Sequence, residues 1–585
     1  MSRRSFEKVE DVCANLTEDR LKRAMEEMRQ VGSTRDQDIM LLLRELFVFG
    51  HAQPLSNESR LLMRRKIQAL CIRMGMPAIW FTINPNDINN PVKMKLAMHR
   101  LHDHDKAKEL LADLQQEYDR IALSTVDPVS SALFFHWEVS LFFEKYVRAG
   151  EQSIFGKISH YYAMVETNER GSLHLHGLLW LEGNMGLPSL IDDMANHNET
   201  EYRASVTRYI NSVYHECLDE QAGKATRQDR KPIHPVVDMM NRIDALTEAF
   251  ENESNYIAYC CQVQSHTYTC IKYSLQGLGD KGADAHRRTT CRFKAPWKTV
   301  EQTGFTTDGL LEIRRNHPLV NRYNRAMAVG LRHNHDVSPI LTNTKGLAMI
   351  YYITNYATKL STPMWKRLAL AADVLQQRRE PNALTHQPPD AAPSGDHRST
   401  VGNKTRQFLM RVANRIFSER ELSAVEVCYH LLGYPTDFTN VPNWSFLHLS
   451  TLYWAIFRRW LHLRRLAGLE TDIDEPVETV NIHERGRTLS YFEAYAGRGT
   501  LLAHLCLYDY LSMIRLVPRK DQDDDEFLLS LDRLSPDVSN WMQKLRRPHE
   551  YAVPIFQGYI SDDHKDDDPD YPKRCAQPAS FSQRY

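Results

Sequence analysis

The residue pattern predicts an α+β fold built on an antiparallel sheet, and three observations carry that reading. Ala78 to Ile83, AIWFTI, is a β-branched and aromatic run stopped by Asn84-Pro85, as a sheet strand would be. Between Val92 and Val147, apolar residues fall at helical spacing in VKMKLAMHRLHDHDKAKELLADL and SALFFHWEVSLFFEKYV. Then HYYAMVET and LHLHGLLW read as two strands, with ERGS as the turn that folds them into a hairpin.

The hairpin also carries the chemistry. Successive side chains of a strand point to opposite faces, so His174 and His176 share one face while Leu173, Leu175 and Leu179 cover the other. Two adjacent imidazoles suit one metal ion, and antiparallel pairing can carry Glu166 to them. A His, His, Glu set mixes nitrogen and oxygen donors and suits Mg²⁺ or Mn²⁺ with positions left for water and a phosphate oxygen. The competing reading is an alternating strand whose histidines merely face water.

Three blocks, in order, resemble the Rep nuclease domain of Helitron transposases, within the HUH endonuclease superfamily. VETNERGSLHLHGLLWL is similar to its His-hydrophobe-His motif, WFTINPNDINNPV (Trp80 to Val92) to its first motif, and LRHNHDVSPILTNTKGLAMIYYITNYATK (Leu331 to Lys359) to the block holding two nucleophilic tyrosines. Asn168 departs from the pattern, since many relatives carry Gln there. The resemblance implies a ferredoxin-like, HUH-type sheet with the metal on its central strands. It also selects Tyr352 and Tyr356 as nucleophiles, in a helix with Lys359 one turn on; Tyr491 and Tyr495 form another YxxxY pair, which lacks these neighbours. Lys359 would neutralise the phosphate or lower a tyrosine pKa, unless it is a plain surface lysine. Asn84 is a candidate DNA contact or a turn cap.

Composition sets bounds on this reading. The 585 residues suffice for several domains, and 42% hydrophobic with 25% charged residues is ordinary for folded proteins. A net charge of −1 means that any nucleic-acid surface must be a local basic face, balanced by acid such as Asp523 to Glu526 and the DDHKDDDPD segment. No signal-like start or membrane-length apolar run is found, and ten cysteines in so long a chain read as thiols, not a disulfide framework. The expected location is intracellular and nuclear, although composition does not separate nucleus from cytoplasm.

Taken in order, residues 1–75 read as a helical region, with Asn57-Glu58-Ser59 capping a helix that stops at Gly75 and carries basic Arg64, Arg65 and Lys66. Residues 76–365 form the expected nuclease domain: metal strands within 160–182, an insertion over 183–343 and the tyrosine helix over 345–362. In the insertion, Cys261, His266, Cys270 and Cys291 form either a structural zinc site or ordinary thiols. Helitron relatives carry a similar His-x-x-x-Cys then Cys-Arg-Phe pattern. Residues 378–403, rich in Pro, Ser, Gly and Asp, read as a linker, 404–560 as a helical domain and 561–585 as an acidic tail. In FRRWLHLRRL, Arg458, Arg459, Arg464 and Arg465 stand among aromatic and apolar residues, which suits single-stranded DNA or equally a basic outer helix face.

The function implied by the resemblance is a metal-dependent single-stranded DNA endonuclease and strand transferase of rolling-circle transposition, cutting through a 5′-phosphotyrosine. Single-stranded DNA at transposon ends is its expected partner. No GxxxxGK[ST] loop occurs, so ATP is not an expected cofactor and a helicase would act in trans. The chain is then a fragment, a truncated copy or a Rep protein that borrows a helicase. The alternatives are an inactive, domesticated DNA-binding protein and a metallonuclease in which water attacks. A tyrosine recombinase is disfavoured, because its arginine-rich, metal-free site offers no role for HLH. Target sequence, order of the tyrosines and oligomeric state are not legible.

Overall fold

The structure is a computed structural model that describes residues 12–183, 199–229, 246–264, 291–340, 364–379, 407–468 and 482–557, less short breaks within these ranges. The chain divides into two compact units, Met74–Ile353 with Leu422–Asn440, and Met1–Arg73 with Thr354–Glu421 and Val441–Tyr585. The architecture is α+β with an antiparallel main sheet. No helix among the described residues is long and apolar enough to cross a membrane.

In the first of these units the main sheet is built from β1 (Ile79–Asn84), β2 (Gly156–Thr167), β3 (Leu173–Leu181), β4 (Asn334–Pro339) and β5 (Asp437–Thr439), in the order β2-β3-β1-β4. Gln152–Ser153 and β5 both pair with β2, and every pairing is antiparallel. Alternation sorts the side chains. Ile79, Phe81 and Ile83 of β1, Leu173, Leu175 and Leu179 of β3 and Val337 of β4 enter one core, against Ala132, Phe135 and Val139 of helix α1 (Pro128–Leu141). Asp127 caps this helix by accepting from Ser130 N at 3.1 Å, with Pro128 at its first position. The helical pattern expected through Val147 changes pitch at Phe142: Phe142–Val147 is a π-helical turn that sets Phe142 and Phe143 into the core, with Phe142 5.1 Å from the Phe81 ring.

Two sequence expectations need correction. The insertion over 183–343 ends inside the sheet, because Asn334–Pro339 is β4 and pairs with β1 along its whole length. Arg322, held by buried Glu216 at 2.5 Å, also donates to Ser338 Oγ on β4 at 3.2 Å. The region 404–560 is not purely helical: Asp437–Thr439 belongs to the main sheet, Asn443–His448 pairs in parallel with Ala552–Gln557, and Trp541–Leu545 lies between Ile514–Pro518 and Leu528–Leu529. The expected linker lies outside the described residues beyond Arg379, the last residue of a helix that begins at Met364, and the acidic tail lies wholly outside them.

In the other unit, helices Glu18–Val31, Gln37–His51 and Met364–Arg379 share a core that includes Leu21, Ile39, Leu42, Leu368 and Leu375. Arg20 ties the first two together by donating to Asp36 at 2.8 Å and Asp38 at 2.8 Å. Tyr491 and Tyr495 pack against a second core around Tyr510 and Ile514, so this YxxxY pair has a structural use.

Gly177 is closely packed between its neighbouring strands in the main sheet. A Cβ there would overlap the Phe81 ring and lie 2.9 Å from Ala163 Cβ, on the strands either side. Gly177→Ala should lower unfolding stability by about 1–3 kcal/mol through overpacking. Urea unfolding checks this, and an unchanged midpoint would contradict it.

Candidate metal centre

The hairpin turn sets the geometry of the site. Asn168 Oδ1 accepts from Arg170 N at 2.9 Å and Ser172 N at 3.1 Å, Asn168 N donates to Ser172 O at 2.9 Å, and Gly171 takes φ +83°. The residue that departs from the family pattern is therefore the one that builds this turn. The resulting register puts Glu166 directly opposite His174 and Met164 opposite His176. On the other side of β3, Thr82 of β1 stands opposite His176.

Glu166, His174 and His176 converge as a result. His174 Nε2 lies 2.9 Å from His176 Nε2, and Glu166 Oε2 lies 3.3 Å and 3.0 Å from them respectively. All three residues are buried. Among the described residues this is the only group of three or more His, Cys, Asp or Glu side chains whose donor atoms converge closely enough to hold a metal ion. Three ligands about 2.1 Å from one ion and at right angles to each other stand about 3.0 Å apart, so the triangle fits one face of an octahedral Mg²⁺ or Mn²⁺ shell.

The protonation states also suit a cation. Burial works to raise the Glu166 carboxyl, but the neighbouring His174 and His176 imidazoles outweigh it and hold the group below its ordinary range. Burial lowers His176 below the ordinary imidazole value, which favours the neutral ring a metal requires. The Trp80 ring lies nearly parallel to His176, 6.3 Å away. Sequence reasoning missed both Trp80 and Thr82 as neighbours of the histidines, because it did not pair β1 with β3. Alternation within AIWFTI was the available signal, since it places Trp80, Thr82 and Asn84 together on the face away from the core.

Other candidates are placed differently. Tyr352, Tyr356 and Lys359 lie outside the described residues, as do His266 and Cys270. Cys261 sits in a π-helical turn, its thiol pushed up to about 12 by burial, and Cys291 is buried with Gln264 Nε2 3.1 Å from its sulfur. Asn84 ends β1 and donates to Asn334 Oδ1 at 3.2 Å. In the helix Leu449–Leu466, Arg464 stacks on Trp460 at 5.0 Å and Arg465 is exposed, while the Arg458 and Arg459 side chains lie outside the description.

The HNHD block is structural on its inward side. His335 faces the core opposite Ile83 and accepts from Asn324 N at 3.0 Å, and His333 is wholly buried. Burial lowers their pKa values to about 3 for His333 and about 4 for His335.

Residues 2–179 match the family model described as Helitron helicase-like domain at N-terminus. The match spans less than a third of the chain, includes Glu166, His174 and His176, and stops before the HNHD and tyrosine blocks. No curated protein matches the chain.

The buried histidines predict an acid sensitivity. A group with a depressed folded pKa contributes stability that is present above its unfolded value, near 6.5, and lost as pH falls toward the folded value. Each should cost about 1.4 kcal/mol per pH unit over that window, so between pH 6.5 and 5 the loss is about 2 kcal/mol per histidine. Urea midpoints of wild type and His333→Leu across that range check this: the variant should show the shallower decline, and parallel declines would contradict it.

Proposed function

We propose that this chain is a metal-dependent single-stranded DNA endonuclease and strand transferase of the Helitron type, working through tyrosine. The observation that carries the reading is the roughly 3 Å triangle of two imidazole nitrogens and a carboxylate oxygen on an antiparallel sheet, within the region that matches a Helitron N-terminal domain. On this reading the sheet is the ferredoxin-like sheet of HUH enzymes.

Each described residue has a part to play. Glu166 offers an ionised carboxylate and His176 a neutral ring, so little proton loss is needed when a cation enters. Sheet pairing on both sides of β3 holds the histidines before substrate arrives, which keeps the cost of ordering them out of the binding step. When bound, Mg²⁺ or Mn²⁺ supplies positive charge beside a scissile phosphate oxygen. Tyr352 or Tyr356 then attacks phosphorus through its phenolic oxygen, the P–O3′ bond breaks, and the proton lost from tyrosine is matched by one gained at the 3′-hydroxyl. The strand remains joined to tyrosine through its 5′-phosphate, so the bond can be re-formed without ATP. Two tyrosines allow two successive transfers, and Lys359 would offset the phosphate charge. Arg464, against the Trp460 ring, and Arg465 are candidate contacts for a single strand.

Two measurements test this. Mn²⁺ should raise the melting temperature of wild type and not of His174→Ala/His176→Ala, since a ligand held at 100 times its Kd adds about 2.7 kcal/mol of stability. A 3′-labelled single-stranded oligonucleotide library incubated with Mn²⁺ should become covalently attached to wild type, and to neither the histidine double variant nor Tyr352→Phe/Tyr356→Phe. Cleavage that survives the tyrosine changes, without attachment, would indicate attack by water. DNA binding with no cleavage, even on an authentic terminal sequence, would mark a non-catalytic DNA-binding protein.

A further inference from the structure

The β1–β3 register places Thr82 opposite His176, and its Oγ1 lies 3.1 Å from His176 Nδ1. Both residues are only 9% exposed. Alternation explains why a hydroxyl stands there: Ile79, Phe81 and Ile83 take the core side of β1, which leaves Thr82 on the face of the histidines. A buried hydroxyl is costly unless it is hydrogen-bonded, and the ring nitrogen satisfies it.

We infer that Thr82 is a positioning residue that holds the His176 ring with Nε2 aimed at the metal position; the inference rests on the metal-dependent reading above. A neutral imidazole carries one proton on its two nitrogens. With that proton on Nδ1 and donated to Thr82 Oγ1, the Nε2 lone pair faces Glu166 Oε2 and His174 Nε2, at 3.0 Å and 2.9 Å. With the proton on Nε2, that nitrogen donates to Glu166 and has no lone pair to offer. The hydroxyl accepts from an Nδ1–H and donates to a bare Nδ1, so in either tautomer it holds the ring with Nε2 aimed at Glu166 and His174, as outer partners of metal-bound histidines commonly do. The branched side chain restricts its own rotation and so also fixes the plane of the ring.

The arrangement is asymmetric. Among the described residues no group hydrogen-bonds His174 Nδ1, although that atom is buried. Its ring is held edge-on to His176, at 79° and 4.7 Å between centroids. His176 is thus the oriented member of the pair, and Thr82 acts on it alone.

The test is Mn²⁺ binding by the full chain, followed through the spectroscopic signal of free Mn²⁺. Thr82→Val matches the shape and removes the hydroxyl; Thr82→Ser keeps the hydroxyl and removes the methyl. Thr82→Val should weaken Mn²⁺ binding about 10- to 100-fold, the loss typical of removing an outer partner, while Thr82→Ser stays close to wild type. The Mn²⁺ concentration giving half-maximal nicking should rise in parallel, with the rate at saturating Mn²⁺ preserved. If Thr82→Val binds as tightly as wild type while His176→Ala loses binding, the role of Thr82 is refuted and the metal centre stands. Equal weakening in the Ser and Val variants would also refute it, by assigning the effect to packing. If His176→Ala binds Mn²⁺ as wild type does, the metal reading fails and the role of Thr82 fails with it.

Discussion

The register between neighbouring strands is the constraint on which the candidate site rests. Side chains of a strand alternate with a period of two, so a slip of one residue between β2 and β3 would turn Glu166 toward the hydrophobic core and remove it from the histidines. Asn168 and Gly171 hold that register at the turn, where the side-chain amide oxygen gathers two backbone N–H groups and the glycine takes a left-handed conformation. Gly177 holds it further along, because among its cross-strand neighbours only a residue without a side chain leaves room for the Phe81 ring. The positions that secure the geometry are thus not the ligands themselves.

Burial gives the histidines of this chain two different uses. His333 and His335 are enclosed as neutral rings among backbone groups and the Gln262 side-chain amide, 3.1 Å from His335 Nδ1. His174 and His176 are enclosed beside a carboxylate, and all three donor atoms point inward at one another. Two imidazole nitrogens 2.9 Å apart can share only one proton between them, so this cluster is less well satisfied alone than with a cation at its centre. Binding sites that trade some stability for readiness follow the same logic.

What could be read in the sequence follows from which interactions are local. The shared face of His174 and His176 and the approach of Glu166 needed only strand alternation and a hairpin, all within a dozen residues. Thr82 was hidden because its partnership depends on the pairing of strands about 90 residues apart, which no local pattern encodes. β4 was obscured by its histidine: His335, Val337 and Pro339 point inward in alternation, but an imidazole in the apolar phase blurs the pattern. Ile514–Pro518, Leu528–Leu529 and Trp541–Leu545 have five residues or fewer, too few for their period to show, and the basic helix Leu449–Leu466 drew that region toward a helical reading.

The pairing of β1 with β4 bears on how this protein is made. Asn84 and Asn334 are neighbours across the sheet yet 250 residues apart in the chain. During synthesis, β1 and the β2–β3 hairpin emerge long before β4, and until then one margin of β1 presents the bare N–H and C=O groups of an apolar strand. Such a margin can recruit a strand from another nascent chain. The span that matches the family model, residues 2–179, does not include the strand that closes that margin.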